Sequence, residues 1–142
     1  MKRISLLILI ALLMQCKKEK TPDKCTCNET ACTEIFATLM AKVKDTSGQP
    51  VRLDGYYTIH SSIPDTIYLQ TFDLYTDSVQ KANGTYPVLD DNYVEYGGIC
   101  SDNFEFVGFK DGKEIVRKTY SIRINCCHVE WMEEYSDIIV AD

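Results

Sequence analysis

Apolar and polar positions along this chain alternate mostly with a period of two, the period of a strand with one buried face. Ile35, Ala37, Leu39, Ala41 and Val43 are spaced by two and predict a strand over 34–44 with that set facing inward. The run DTSGQP, 45–50, ends it with the Ser, Gly and Pro of a turn. GYYTIH (55–60) and TIYLQ (66–70) are rich in β-branched and aromatic residues, with SSIPD between them as punctuation. Asn83-Gly84 marks a further turn before Tyr86-Pro87-Val88-Leu89, and another strand is expected near 137–140. No stretch shows a sustained helical period.

The strongest local signal is NFEFVGFK-DG-KEIVRKTYSIRI, 103–124. Asp111-Gly112 between two strand-like runs suits a type I′ hairpin turn, whose two central residues need positive φ. A plain two-residue loop would pair Val107 with Val116 and Phe106 with Arg117. It would then put Phe104 and Phe106 on the face opposite Val116, Tyr120, Ile122 and Ile124. One extra residue at Gly108 restores the parity, so a β-bulge is predicted there. Some seven short strands at this spacing predict an all-β fold, an antiparallel β-sandwich.

The first sixteen residues, MKRISLLILIALLMQC, place two basic residues before an apolar run from Leu6 to Met14. That run is too short for a bilayer span of about 20 residues and has the order of a secretory signal. Ending on a cysteine, it resembles a bacterial lipoprotein signal, which implies cleavage after residue 15 and acylation of Cys16. The following KKEK partly resembles the surface-export signal of Bacteroides-group lipoproteins. The segment AKVKDTSGQPV, 41–51, resembles the first strand and turn of Ig-like and transthyretin-like modules, including carboxypeptidase-regulatory-like domains, in exported proteins of that group. The resemblance implies an outer-membrane lipoprotein, on its periplasmic or cell-surface face, carrying a non-enzymatic module. The expected organisation is a signal peptide (1–15), a lipidated tether and cysteine-rich lead-in (16–32) and one β-sandwich domain (33–142).

Charge narrows the partners. The chain carries 15 basic and 21 acidic residues, and loss of Lys2 and Arg3 with the signal takes the net charge from −6 to −8. Such a surface repels phosphate backbones, so nucleic acid is not an expected partner. The membrane is expected to be reached through the lipid, whose buried methylenes contribute about 0.8 kcal/mol each.

Lipidation also resolves the odd count of seven cysteines. The other six, Cys25, Cys27, Cys32, Cys100, Cys126 and Cys127, form an even set, read in an exported protein as up to three structural disulfides that stitch the N-terminal cluster to the C-terminal one. The sharper reading of Cys126-Cys127-His128 is chemical. If these residues continue the preceding strand, Cys127 and His128 face opposite sides and cannot pair as thiolate and imidazole, and Cys126 and Cys127 must take different disulfide partners. His128 is then a bystander. Zinc held by Cys25, Cys27, Cys126 and His128 is the rival, and it requires reduced thiols. Asp90, Asp91, Asn92, Glu95 and Asp102 could offer oxygen ligands to calcium, without the order of an EF-hand.

Neither metal is expected as a cofactor. Two histidines and the absence of nucleophile-elbow, zincin or phosphate-loop motifs give no enzyme. Among nine tyrosines and one tryptophan, Tyr56, Tyr57, Tyr93, Tyr96 and Trp131 are candidates for an aromatic surface that binds a glycan or an envelope protein. A purely structural subunit of an outer-membrane complex and a metal-binding envelope protein are the alternatives.

Overall fold

The computed structural model of the chain describes residues 32–63, 65–69, 74–96 and 101–141. They form a β-sandwich of two sheets. Its strands are β1 (Thr38–Asp45), β2 (Gly55–His60), β3 (Asp65–Ile67), β4 (Thr85–Asp90), β5 (Ser101–Lys110), β6 (Lys113–Ile124), β7 (Val129–Trp131) and β8 (Ile138–Val140). One sheet has the order β4-β1-β8 and the other β3-β2-β5-β6-β7. Pairing is antiparallel except between β1 and β8, which run parallel and bring the two ends of the domain together.

The inner faces follow the alternation of the sequence. Leu39, Ala41 and Val43 of β1, Tyr86, Val88 and Leu89 of β4, Phe104 and Phe106 of β5, and Val116, Tyr120, Ile122 and Ile124 of β6 fill one core. Two buried hydrogen bonds hold polar groups inside it. Thr58 Oγ1 donates to the Val88 carbonyl of the opposite sheet at 2.7 Å, and the Tyr86 hydroxyl donates to Val51 O at 2.8 Å while accepting from Leu53 N at 2.7 Å. A buried hydroxyl without such partners would cost about 1–3 kcal/mol.

The β5–β6 hairpin turns at Asp111 and Gly112 with φ of 51° and 71°, as the type I′ geometry requires. The register shifts between Gly108 and Phe109, Gly108 pairing with Val116 and Phe109 with Glu114. The predicted bulge is therefore present, with Ile115 of the partner strand as its extra residue, and Phe104 and Phe106 reach the core. A methyl group on Gly108 would lie 2.7 Å from Leu53 Cδ1, so glycine at the bulge also makes room for a core leucine.

Three expectations need correction. The first strand starts at Thr38 rather than 34, and Ile35 is 75% exposed instead of continuing the inward set. A helix, α1 (Leu74–Ala82), lies in a stretch without a sustained helical period, supported by the Asp77–Lys81 ion pair one turn apart. The turn expected at Asn83-Gly84 is present and forms the C-terminal stop of that helix. Gly84 adopts φ +64°, and an added Cβ would lie 2.5 Å from Val43 O, where β1 bonds back to it. Finally, Cys126 and Cys127 are not on a strand. β6 ends at Ile124, and 125–128 form the loop to β7, closed by Asn125 N to His128 O at 3.0 Å. The Asn125 side chain accepts from Cys127 N and His128 N, an Asx turn that stops the strand.

Candidate functional site

Three arrangements carry chemistry. The first grows from the β6–β7 loop. Its Asx turn aims Cys127 and His128 at the segment preceding β1, where Cys127 forms a disulfide with Cys32, Cα atoms 5.3 Å apart, closing 95 residues of chain. Cys126 is disulfide-bonded as well. Beside the bridge, His128 Nδ1 lies 2.7 Å from Asp91 Oδ2 and Nε2 2.8 Å from Thr33 Oγ1. A carboxylate can only accept, so Nδ1–H donates to Asp91, and Nε2 is paired with the Thr33 hydroxyl.

Asp91 also accepts from Ala37 N at 2.7 Å and Val129 N at 2.9 Å. Burial alone would raise its carboxyl pKa, but the bonds from Ala37, His128 and Val129 outweigh it and hold the pKa below the usual carboxylate value. His128 is thus no bystander. Carboxylate, imidazole and hydroxyl stand in the order of an activated nucleophile, yet Thr33 sits on an exposed segment and the carboxylate is spent on main-chain donors. The arrangement latches residues 32–37 to the sandwich.

The second arrangement is buried. His60 has no exposed surface; its Nε2 lies 2.7 Å from Asp102 Oδ2 and its Nδ1 2.6 Å from the Tyr93 hydroxyl. Its ring stacks on Phe104 at 4.6 Å. Asp102 accepts in addition from Ser62 Oγ and Asn103 N, both at 2.7 Å. Burial raises its pKa, and the bonds from Ser62, Asn103 and His60 more than reverse that and lower it. Burial, followed by the charges of Asp65 and Asp102, pushes the Tyr93 phenol up to about 12. This network fixes β2, β5 and the 3-10 helix Asp91–Tyr96 to one another.

The third is on the outer face of the larger sheet. Because Tyr56, Thr58 and His60 point inward, Tyr57 points out, with its ring centroid 5.6 Å from Phe109 and 5.9 Å from Tyr68. Tyr68 is 70% exposed. Val107, opposite Tyr57 in the ladder, is fully buried although it lies outside the core cluster. The outer face therefore has an apolar floor of its own with aromatic walls. Next to it Arg117, opposite Val107, pairs with Glu105 and with Glu114, whose pKa the guanidinium lowers.

These positions redistribute the sequence candidates. Of the five aromatics, only Tyr57 belongs to the outer patch. Tyr56 packs inward on Tyr86 at 5.1 Å and Phe106 at 6.0 Å, Tyr93 is bound to His60, and Trp131 packs on Tyr120 at 4.7 Å. The side chain of Tyr96 lies outside the described residues, as do Cys16, Cys25, Cys27, Cys100 and the side chain of Glu95. Tyr68 and Phe109 were not among the sequence candidates; they come from two other segments and meet Tyr57 only through the pairing of β2 with β3 and β5.

The zinc set fails at Cys126, which is oxidised, and at His128, whose two nitrogens are engaged. The calcium set does not assemble among the described residues. Asp90 is turned to Asn92, its pKa raised by burial; Asp91 serves His128, and Asp102 serves His60. Among the described residues no group of three or more His, Cys, Asp or Glu is placed to hold a metal ion, and no helix is long and apolar enough to cross a membrane.

No family model, no curated protein and no solved structure matches the chain.

Proposed function

We propose that this chain is a lipid-anchored, non-enzymatic envelope module, held at the outer membrane through Cys16, that binds a glycan on the outer face of its larger sheet. The observation that carries this reading is the aromatic patch of Tyr57, Tyr68 and Phe109 over buried Val107. Exposed Tyr68 with half-buried Tyr57 and Phe109 offers ring faces to the C–H groups of a sugar, while the core of the fold is filled by other side chains. The adjoining Glu105–Arg117–Glu114 group supplies donors and acceptors for hydroxyls at the edge of the patch.

The rings are tilted by 58° and 35° to one another, a stepped surface that fits a chain of sugars rather than one flat ring. Calorimetric titration with envelope oligosaccharides, comparing the native chain with Tyr57→Ala and Tyr68→Ala, tests the proposal. Saturable binding that weakens at least about tenfold in each variant is expected, because losing one well-placed aromatic contact is a change on the order of 1.4 kcal/mol. Binding unaffected by both substitutions would refute the site.

A further inference from the structure

Among the described residues, the longest strand of the fold is paired along only part of one edge. β6 spans Lys113–Ile124, but β7 pairs only with Ile122, Arg123 and Ile124, after which Met132 N donates to Ser121 O at 3.1 Å and the chain leaves for the other sheet. That bond shows that the main-chain groups of Ser121 aim toward the β7 side. Strand geometry aims those of Thr119 and Arg117 the same way, and among the described residues no strand pairs with them there. An edge of this kind is a template for another extended chain.

The side chains around the edge select the occupant. Across the gap lies β8, whose other side is held by β1, so the sandwich is open along one seam. A cavity of about 260 Å³ sits in it, with an apolar floor of Val51, Ile115 and Val140 and a rim of Lys110, Asp111 and Lys113. Lys110, Lys113 and Lys118 have no carboxylate partner among the described residues. The chain as a whole has a net charge of −6, so this concentration of free lysines is local. Two copies of such an edge would repel each other, which disfavours self-pairing.

We propose that the edge of β6 is the docking site for an extended acidic peptide segment of a partner protein. The segment adds a strand beside Arg117 and Thr119, places carboxylates near Lys113 and Lys118, and sets an apolar side chain into the seam over Ile115 and Val140. This inference does not rest on the glycan reading: it uses the main-chain edge of β6 and the lysines beside the seam, and Arg117 borders both surfaces.

The test uses the full chain and a fluorescein-labelled ten-residue peptide of alternating valine and glutamate. Three controls accompany it: the same peptide with lysine for glutamate, the acidic peptide N-methylated at alternate residues, and the Lys113→Glu/Lys118→Glu variant. Saturable polarisation is expected for the acidic peptide, at least tenfold weaker for the lysine peptide and abolished by N-methylation. The variant reverses the charge preference, and exchange of the Arg117 and Thr119 amides slows at least tenfold on binding. The proposal is overturned by equal binding of the N-methylated peptide, by amide protection elsewhere on the fold, by absence of saturation into the millimolar range, or by sedimentation showing the edge already closed by a second copy.

Discussion

Asp91→Ala removes the acceptor shared by Ala37 N, Val129 N and His128 Nδ1, at 2.7, 2.9 and 2.7 Å, from a side chain only 8% exposed. Hydrogen bonds to a charged acceptor contribute about 1.5–3 kcal/mol each, and donors left half-buried cost less than fully buried ones because water reaches them. Taking the low end for three bonds, with one donor rescued by water, gives a loss of about 3–4 kcal/mol, against a total stability of about 5–15 kcal/mol for a domain. With a urea slope of roughly 1.5–2 kcal/mol/M, the unfolding midpoint falls by about 2 M. Asp91→Asn keeps one carbonyl acceptor and is expected to lose about half as much.

The Asp91 pKa is lowered on folding, so the stability it contributes is present above the unfolded value near 3.9 and is lost as pH falls through the folded value. The gap between native chain and Asp91→Asn should therefore be full at pH 6 and close below the ordinary carboxylate range. Asp45, Asp102, Glu114 and Asp137 are also lowered and make the native chain acid-sensitive in themselves, but they are common to both proteins and cancel in the comparison. Urea denaturation of the disulfide-intact proteins from pH 2 to 7 checks this. An Asp91→Ala midpoint unchanged at pH 6, or a gap independent of pH, would refute the latch.

Other outcomes follow from the same structure. Asp102→Ala strands the Nε2–H of fully buried His60 and should cost about 2–3 kcal/mol by chemical denaturation. Gly108→Ala drives a methyl to 2.7 Å from Leu53 Cδ1 and should destabilise by about 1–3 kcal/mol, with Leu53→Ala in the same chain recovering less than its own cavity cost. The phenols of Tyr56, Tyr93 and Tyr135, raised by burial to about 12, are expected to ionise late in an ultraviolet titration. Because they are raised, the stability they contribute is intact below pH 10 and is lost as pH climbs through 12. Replacing Cys32 and Cys127 by alanine reopens a 95-residue loop and should lower stability by up to about 4–5 kcal/mol in the chain-entropy model.

Much of the fold was legible because its signals are local. Period-two alternation marks the strands, Asp111-Gly112 marks the hairpin, and the parity conflict at Phe104 and Phe106 marks the bulge. What escaped depends on partners far away in sequence. Ile35 has the spacing of β1, but among the described residues no strand lies opposite it. The pairing of β1 with β8 joins the two ends of the domain and leaves no trace in either segment. α1 is too short for its period to stand out, and the turn legible at Asn83-Gly84 does not by itself say that a helix precedes it. Asn125 was the overlooked cue at the cysteine pair. Reading 125–128 as strand set Cys126 and Cys127 on opposite faces and left His128 idle, whereas the Asx turn aims Cys127 and His128 at residues 32 and 33. Asp91 was noticed only as a carboxylate among others, since its partners, Ala37, His128 and Val129, come from two other parts of the chain.

The central claim is that the outer aromatic patch is the binding face. Amide and aromatic chemical-shift mapping of the chain during titration with envelope oligosaccharides tests it most directly. The account predicts saturable shifts confined to the outer positions of β2, β3 and β5, centred on Tyr57, Val107, Phe109 and Tyr68. Shifts centred on Thr33, Asp91 and His128, or none with any envelope glycan, would contradict it.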